Sequence, residues 1–303
     1  MYNYIDCYFW ICIFIIIYTY LGYGIVLLLL VTVKRLFKDN DAIISYYQPN
    51  VTLLIAAYNE ENYIKEKIAN SLSLDYPKDK IEFLFVTDGS DDATPEIIKK
   101  YPQIKLMHRP ERQGKIMAVE RAMSEVRREI VVFTDANTLI NKEAINNIVQ
   151  HFANERIGVV AGEKRILNKE VDEAAGAGEG FYWRYESKLK KWDDELCSVM
   201  GAAGELFAIR TELFEPIPKD SLIEDFYMSF RIIQKGYKIA YEPEAYTLEE
   251  PSASVNEELK RKIRIAAGGI QSIVRLKELL NPFKYGIITF QYISHRVLRW
   301  TLA

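Results

Sequence analysis

The sequence predicts an α/β domain built on a mostly parallel sheet with helices on both faces, joined to one N-terminal transmembrane helix and one C-terminal amphipathic helix. Three observations predict it. Residues 7–33 carry no formal charge. Short apolar runs then alternate with helical patterns across short links, the pattern of a parallel sheet covered on both sides. Near the end, Phe283, Ile287, Phe290, Ile293 and Val297 recur at helical spacing.

The uncharged run would form a helix about 40 Å long, against a hydrocarbon core of about 30 Å. A signal-peptide core is shorter, follows a basic segment and ends at small residues; a buried core helix is the other alternative. Asp6 precedes the run, and Lys34, Arg35 and Lys38 follow it. That excess positive charge predicts an N-terminus outside and a domain on the cytoplasmic side of a plasma or inner membrane. The sequon Asn50-Val51-Thr52 then carries no glycan. Residues 1–37 are the expected anchor and 38–50 a polar connector.

Strands are expected at 51–57, 81–87, 104–108, 130–134, 158–162, 206–209 and 238–241, the last ending at a turn at Glu242-Pro243. Helices are expected at 62–72, 94–100, 115–127, 142–152, 174–196, 223–234 and 255–280. The helix at 174–196 contains Phe181, Tyr182, Trp183 and Tyr185, aromatic residues that more often belong to a core. The final segment, with Lys284, Gln291, His295 and Arg299 mostly on other faces, reads as a basic helix in the membrane interface or as a helix packed on the core. No second spanning run follows it.

Composition narrows the function. The 303 residues hold 39 Lys+Arg against 42 Asp+Glu, a formal charge of −3, which gives no basic surplus for nucleic acid. Hydrophobic residues at 49% and charged residues at 27% exclude intrinsic disorder. Cys7 and Cys12 lie in the apolar run and Cys197 is alone, so no disulfide framework or CxxC pair can be written. There is no GxGxxG after the first strand, no GxxxxGK[ST], no HExxH and no GxSxG.

What remains is acidic residues at strand ends, where ligands of such sheets bind. Asp88, in TDGSDD, either accepts from a nucleobase or sugar or starts a turn and caps a helix. Asp135 and Asn137 alternate on an extended segment and so share a side. They suit one hard cation that takes one or two protein oxygens, or else a turn and a cap. Glu224-Asp225 opens a helix, where acids are favoured by the dipole; the functional reading is a general base.

Together these segments resemble the membrane-associated family-2 glycosyltransferases, the inverting group that includes cellulose-synthase-like and hyaluronan-synthase-like enzymes. The resemblance runs from about Val51 to Gln271. It rests on IAAYNEE, TDGSDD, FTDANT, GAAGELFAIR, IEDF and KRKIR in the family's order. It implies a GT-A-type nucleotide-sugar-binding domain over 51–254, followed by a basic long helix and an interfacial helix over 255–303. In that family's terms, Ala57, Tyr58 and Glu60 line the nucleotide pocket and Asp88 holds the base. Lys115 is a basic position near the nucleotide or a solvated helix-start lysine. Asp135 matches the first Asp of the DxD metal site, and Asn137 replaces the second. The metal, Mg²⁺ or Mn²⁺, is then bound more weakly or mainly through Asp135 and the diphosphate. Gly201 to Gly204 resembles the acceptor-side loop, Asp225 the catalytic base and Glu224 its acidic neighbour. Arg261 and Arg264 fall where the family has QxxRW, with Arg for Gln and Ile265 for Trp. Guanidinium groups suit a diphosphate, although a basic helix face is the plainer reading.

The resemblance implies inverting transfer of a hexose or N-acetylhexosamine from a UDP-sugar to a saccharide or lipid-linked acceptor at the cytoplasmic membrane face, in polysaccharide or glycan synthesis. Membrane lipid and other membrane subunits are the further expected partners. Two alternatives stand beside it: a non-catalytic nucleotide-sugar-binding or scaffold subunit, and a polyprenyl-phosphate glycosyltransferase.

Overall fold

The computed structural model describes residues 2–37, 46–166, 173–202, 204–249 and 255–302. Its strands are β1 (Val51–Ala57), β2 (Ile81–Asp88), β3 (Ile104–Arg109), β4 (Ile130–Asp135), β5 (Leu139–Ile140), β6 (Ile157–Ile166), β7 (Leu206–Arg210) and β8 (Lys238–Glu249). They form one sheet in the order β3-β2-β1-β4-β7-β6-β8-β5. The first four pair in parallel, as do β6 and β8. The exception that matters for the site is β7, antiparallel to both β4 and β6. Its first residue, Leu206, therefore lies beside Thr134 at the end of β4.

Alternation along the strands divides the core in two. Leu54, Leu84, Val86, Val131 and Phe133 face α5 (Lys115–Met123), α8 (Glu224–Gln234) and the C-terminal helices. Leu53, Ile55, Phe83, Phe85 and Val132 face α3 (Ile64–Leu72), α4 (Thr94–Ile98) and α6 (Ala144–His151).

Glu242-Pro243 does not end the last strand. Ala161 pairs with Tyr241 and Glu163 with Tyr246, so residues 242–245 form a wide bulge opposite Gly162. A Cβ at Gly162 would lie 2.7 Å from the carbonyl oxygen of Ala245. The bulge accommodates a proline that a regular ladder would exclude.

The N-terminal run is one helix by length, Asp6–Leu36, with mean hydropathy 2.4 over its most apolar window. Its two α-helical parts, α1 (Tyr2–Ile17) and α2 (Tyr23–Leu36), are joined by a π-helical turn. Among the described residues it is the helix long and apolar enough to cross a membrane. Its second half packs on the α/β body: Tyr23, Leu27 and Val31 are buried against Leu189 and Leu196 of α7 (Glu173–Leu196). Lys34 donates to the carbonyls of Glu195 and Leu196, and Arg35 grips the Glu195 carboxylate with two bonds. Cations are favoured there, at the carbonyl end of α7.

After α9 (Val255–Arg275) the expected single C-terminal helix is divided into α10 (Pro282–Tyr285), α11 (Ile287–Tyr292), a π-helical turn and α12 (Leu298–Leu302). Gly286, at φ 55°, breaks it. Gln291, Tyr292 and His295 are fully buried, while Phe283 is fully exposed. His295 sits between Asp193 and Glu186 of α7, Gln291 also bonds Asp193, and Arg299 pairs with Glu186. The polar residues expected to face outward thus dock this segment onto the body.

Candidate active site

One cleft opens at the carboxyl ends of β1 and β4. Lys115, Asp135, Gly204, Glu224 and Asp225 line it above Leu54 and Phe133. The topology explains the meeting. Asp135 ends β4, the antiparallel β7 brings Gly204 alongside, and α8 returns with Glu224 and Asp225 in its first turn. Lys115 opens α5 on the same face of the sheet.

Lys115 is the electrostatic centre. Its Nζ lies 3.0 Å from Asp135 Oδ1 and 3.0 Å from Glu224 Oε1. Burial alone would lower its pKa, but those two carboxylates hold it well above the ordinary lysine range. Asp225, by contrast, is driven toward its neutral form. Burial, and next the neighbouring Glu224 charge, push its carboxyl up to about 7, with Lys115 opposing. A group with a pKa near neutrality suits proton transfer at physiological pH. A Cβ at Gly204 would stand 3.2 Å from Asp225 Oδ2, so the glycine keeps that approach open.

The residues expected on the nucleotide side form a tied rim. Ala57 ends β1 beside Thr87. Asn59, at φ 54°, turns the chain, and its side chain bonds Asp91 while the Glu60 N–H donates to Thr94 Oγ1. Burial first, then the charges of Asp135 and Asp92, raise the Glu60 pKa. The Arg112 guanidinium lies 3.7 Å from the ring centroid of half-exposed Tyr58.

Asp88 is placed differently from a group open to a base. It is 4% exposed. One carboxylate oxygen accepts the backbone N–H groups of Gln113 and Gly114 at 2.7 Å each, and the other takes Arg121 at 3.2 Å. These bonds aim the loop that delivers Lys115.

Asn137 is exposed beyond Asp135. Among the described residues no three His, Cys, Asp or Glu side chains could together hold a metal. One carboxylate and one amide fit a hard cation that takes its remaining oxygens from phosphate and water. Gly201, at φ 111°, packs behind the site, where a Cβ would come within 2.6 Å of the Phe226 ring. Arg261 is held by Glu258 through two bonds of 2.9 Å, and Arg264 is exposed on the same helix. Arg261 also senses the charge of Glu205, which in turn acts on Asp225. Phe181, Tyr182 and Trp183 lie outside the described side chains. Tyr185 donates to the Tyr20 carbonyl of the N-terminal helix, so it is a packing residue.

The sequence reading missed Lys67. It is fully buried beneath the Asp135 turn, and burial lowers its pKa to about 7 against the opposing effect of Asp135. The signal was available: Lys67 falls on the Ile64–Ile68–Ser71 stripe of α3, where a lysine breaks the apolar pattern.

The family model for glycosyl transferase family 2 matches residues 52–217, over half of the chain. The chain belongs to this family. Over 256 residues it is 28% identical to the probable glycosyltransferase YdaM of Bacillus subtilis, covering 78% of this chain and 58% of that protein. Over 235 residues it is 26% identical to a poly-beta-1,6-N-acetyl-D-glucosamine synthase of Staphylococcus aureus, covering 74% and 56%. The chain thus spans under three fifths of the length of these relatives. Among solved structures, the family-2 chain superposes on the mannosyltransferase PcManGT of Pyrobaculum calidifontis, in complex with GDP-Man and Mn²⁺, with a TM-score of 0.75 at 26% identity. That match covers 96% of this chain and 82% of the other. S. aureus TarS, at 17% identity, shares the fold with a TM-score of 0.59 over 84% of this chain and 72% of that one.

Proposed function

We propose that this family-2 chain is an inverting glycosyltransferase that moves a hexose or N-acetylhexosamine from a nucleoside-diphosphate sugar, with UDP the favoured nucleotide, to a saccharide or lipid-linked acceptor. One observation carries the reading: Asp225, with its carboxyl raised to about 7, shares a cleft with Lys115 and Asp135. The cleft has a proton acceptor and a separate cationic group for a leaving diphosphate.

The chemistry balances in one displacement. The acceptor oxygen forms a bond to the anomeric carbon as the bond from that carbon to the diphosphate oxygen breaks. Asp225 receives the hydroxyl proton, and the electron pair leaves with the nucleoside diphosphate. Attack from the face opposite the leaving group inverts the configuration. Lys115 neutralises charge that grows on the diphosphate, an electrostatic contribution strongest in a water-poor cleft. Asp135 and Asn137 would hold Mg²⁺ or Mn²⁺ together with the diphosphate, and the ion would supply Lewis-acid stabilisation of the leaving group. The PcManGT complex, with GDP-Man and Mn²⁺, supports a nucleotide-sugar donor and a divalent ion. The synthase relatives support polysaccharide as the product class.

The apolar helix and its Lys34-Arg35 end support a membrane anchor with the cleft on the cytoplasmic side. The test is a donor screen of UDP-glucose, UDP-GlcNAc, UDP-galactose and GDP-mannose with Mn²⁺, measuring released nucleotide. Release from one donor, stopped by excess EDTA, is expected; no release from any donor would overturn the reading.

A further inference from the structure

Lys67 and Asn70 stand one turn apart on α3, on the side facing the end of β4 and the whole of β5. Lys67 Nζ donates to Thr134 Oγ1 at 2.9 Å and to the Thr138 carbonyl at 2.7 Å. Asn70 donates to the Ile140 carbonyl at 2.8 Å and accepts the Ile140 N–H at 3.0 Å. Thr138 Oγ1 in turn donates to the Asp135 carbonyl at 3.1 Å. Every one of these bonds falls on residues 134–140, the segment that carries Asp135 and Asn137.

A lysine here is costly to the fold. It is fully buried between Ile64, Ile68 and Ser71, and desolvating an ammonium costs several kcal/mol unless hydrogen bonds compensate. Leucine would complete the apolar stripe at no such cost. The ammonium does what leucine cannot: it bridges a hydroxyl before Asp135 and a carbonyl after Asn137. It does so from the sheet face opposite the cleft, since Thr134 and Phe133 point to opposite sides.

We propose that Lys67 and Asn70 are positioning residues that clamp the 134–140 turn from below and set the aim of Asp135 and Asn137 at a divalent cation and the donor diphosphate. This rests on the transferase reading given above. Neither side chain touches substrate. Their effect is on the metal-supported part of nucleotide binding, not on binding as a whole.

The experiment titrates UDP, with GDP in a parallel arm, into the 303-residue chain in detergent, first in EDTA and then with Mn²⁺. Wild type, K67M and N70A are compared. K67M should leave the metal-free Kd unchanged while losing about tenfold or more of the tightening that Mn²⁺ confers, the usual scale for a group that orients a metal ligand. N70A removes two neutral hydrogen bonds but both fall on Ile140, further from Asp135, and it should lose about threefold in the same direction. Hydrogen exchange of the metal-free chain should quicken over residues 134–140 in both variants and not in β1. A K67M chain that keeps the full Mn²⁺ increment, or that loses metal-free binding equally, overturns the clamp. Should K67M fail to fold, N70A decides alone, and a wild-type increment and exchange rate in N70A overturn it. A wild-type chain that binds neither nucleotide with Mn²⁺ overturns the transferase reading. Unchanged exchange in the variants, with wild-type binding intact, overturns the clamp only.

Discussion

The indole of Trp300 meets the ring of Phe226 edge to face, with centroids 4.8 Å apart at 74°. Phe226 follows Asp225 directly and stacks on Phe230 at 4.3 Å. The last turn of the described chain therefore supports the first turn of α8, where the proposed base stands. Trp300 in turn lies against Gly269, whose Cβ position would be 2.2 Å from the indole.

Trp300→Ala should therefore act on both stability and turnover. Losing a half-buried indole and an edge-to-face pair should cost about 2–4 kcal/mol. The expected result is a lower Tm in thermal unfolding and a kcat reduced about tenfold, with donor KM changed little.

Asp225→Asn should abolish transfer, a loss of at least about 10²–10⁴-fold, while nucleotide binding persists. In the wild type, kcat/KM should rise with pH through about 7, because the base must lose its proton first. The stability effect has the opposite sign. The folded carboxyl holds its proton to a higher pH than the unfolded one, so its contribution is full below about pH 4 and is lost as pH rises through about 7. The Asp225→Asn variant, uncharged at this position, should accordingly show a higher Tm than wild type at pH 8 and little difference at pH 4.

Lys115→Met removes the cation shared by Asp135 and Glu224. Donor KM should rise about tenfold, on the scale of one lost charge-assisted contact to diphosphate. Lys115 also opposes the rise of the Asp225 pKa. The rising limb of the pH profile should then move above 7, and a limb that stays in place would separate the two residues.

The parallel half of the fold was legible because its signals are local. Apolar runs at 51–57, 81–87, 104–108 and 130–134 give strands, and the carboxylates Asp88 and Asp135 that follow two of them fall at one edge by topology alone. Four features were not legible, each for a physical reason. Pro243 signals a turn in sequence, yet the bulge opposite Gly162 absorbs it without ending β8. Gln291 and His295 look outward-facing because their buried partner Asp193 is about a hundred residues away. Arg261 offers a free guanidinium in sequence, but Glu258, one turn earlier on α9, already occupies it. The engaged carboxylate of Asp88 belongs with these, since its loop partners Gln113 and Gly114 are drawn in only by the β2–β3 pairing.

The seating of the N-terminal helix has a practical consequence. Tyr23, Leu27 and Val31 have no accessible surface because α7 and Phe290 cover them, so this helix is a wall of the molecule. Cutting the chain after Leu36 to obtain a water-soluble fragment would strip Leu189 and Leu196 of their cover and leave Asp193 without the Tyr23 hydroxyl. Detergent or a lipid disc around the intact protein is the preparation that keeps this seam closed.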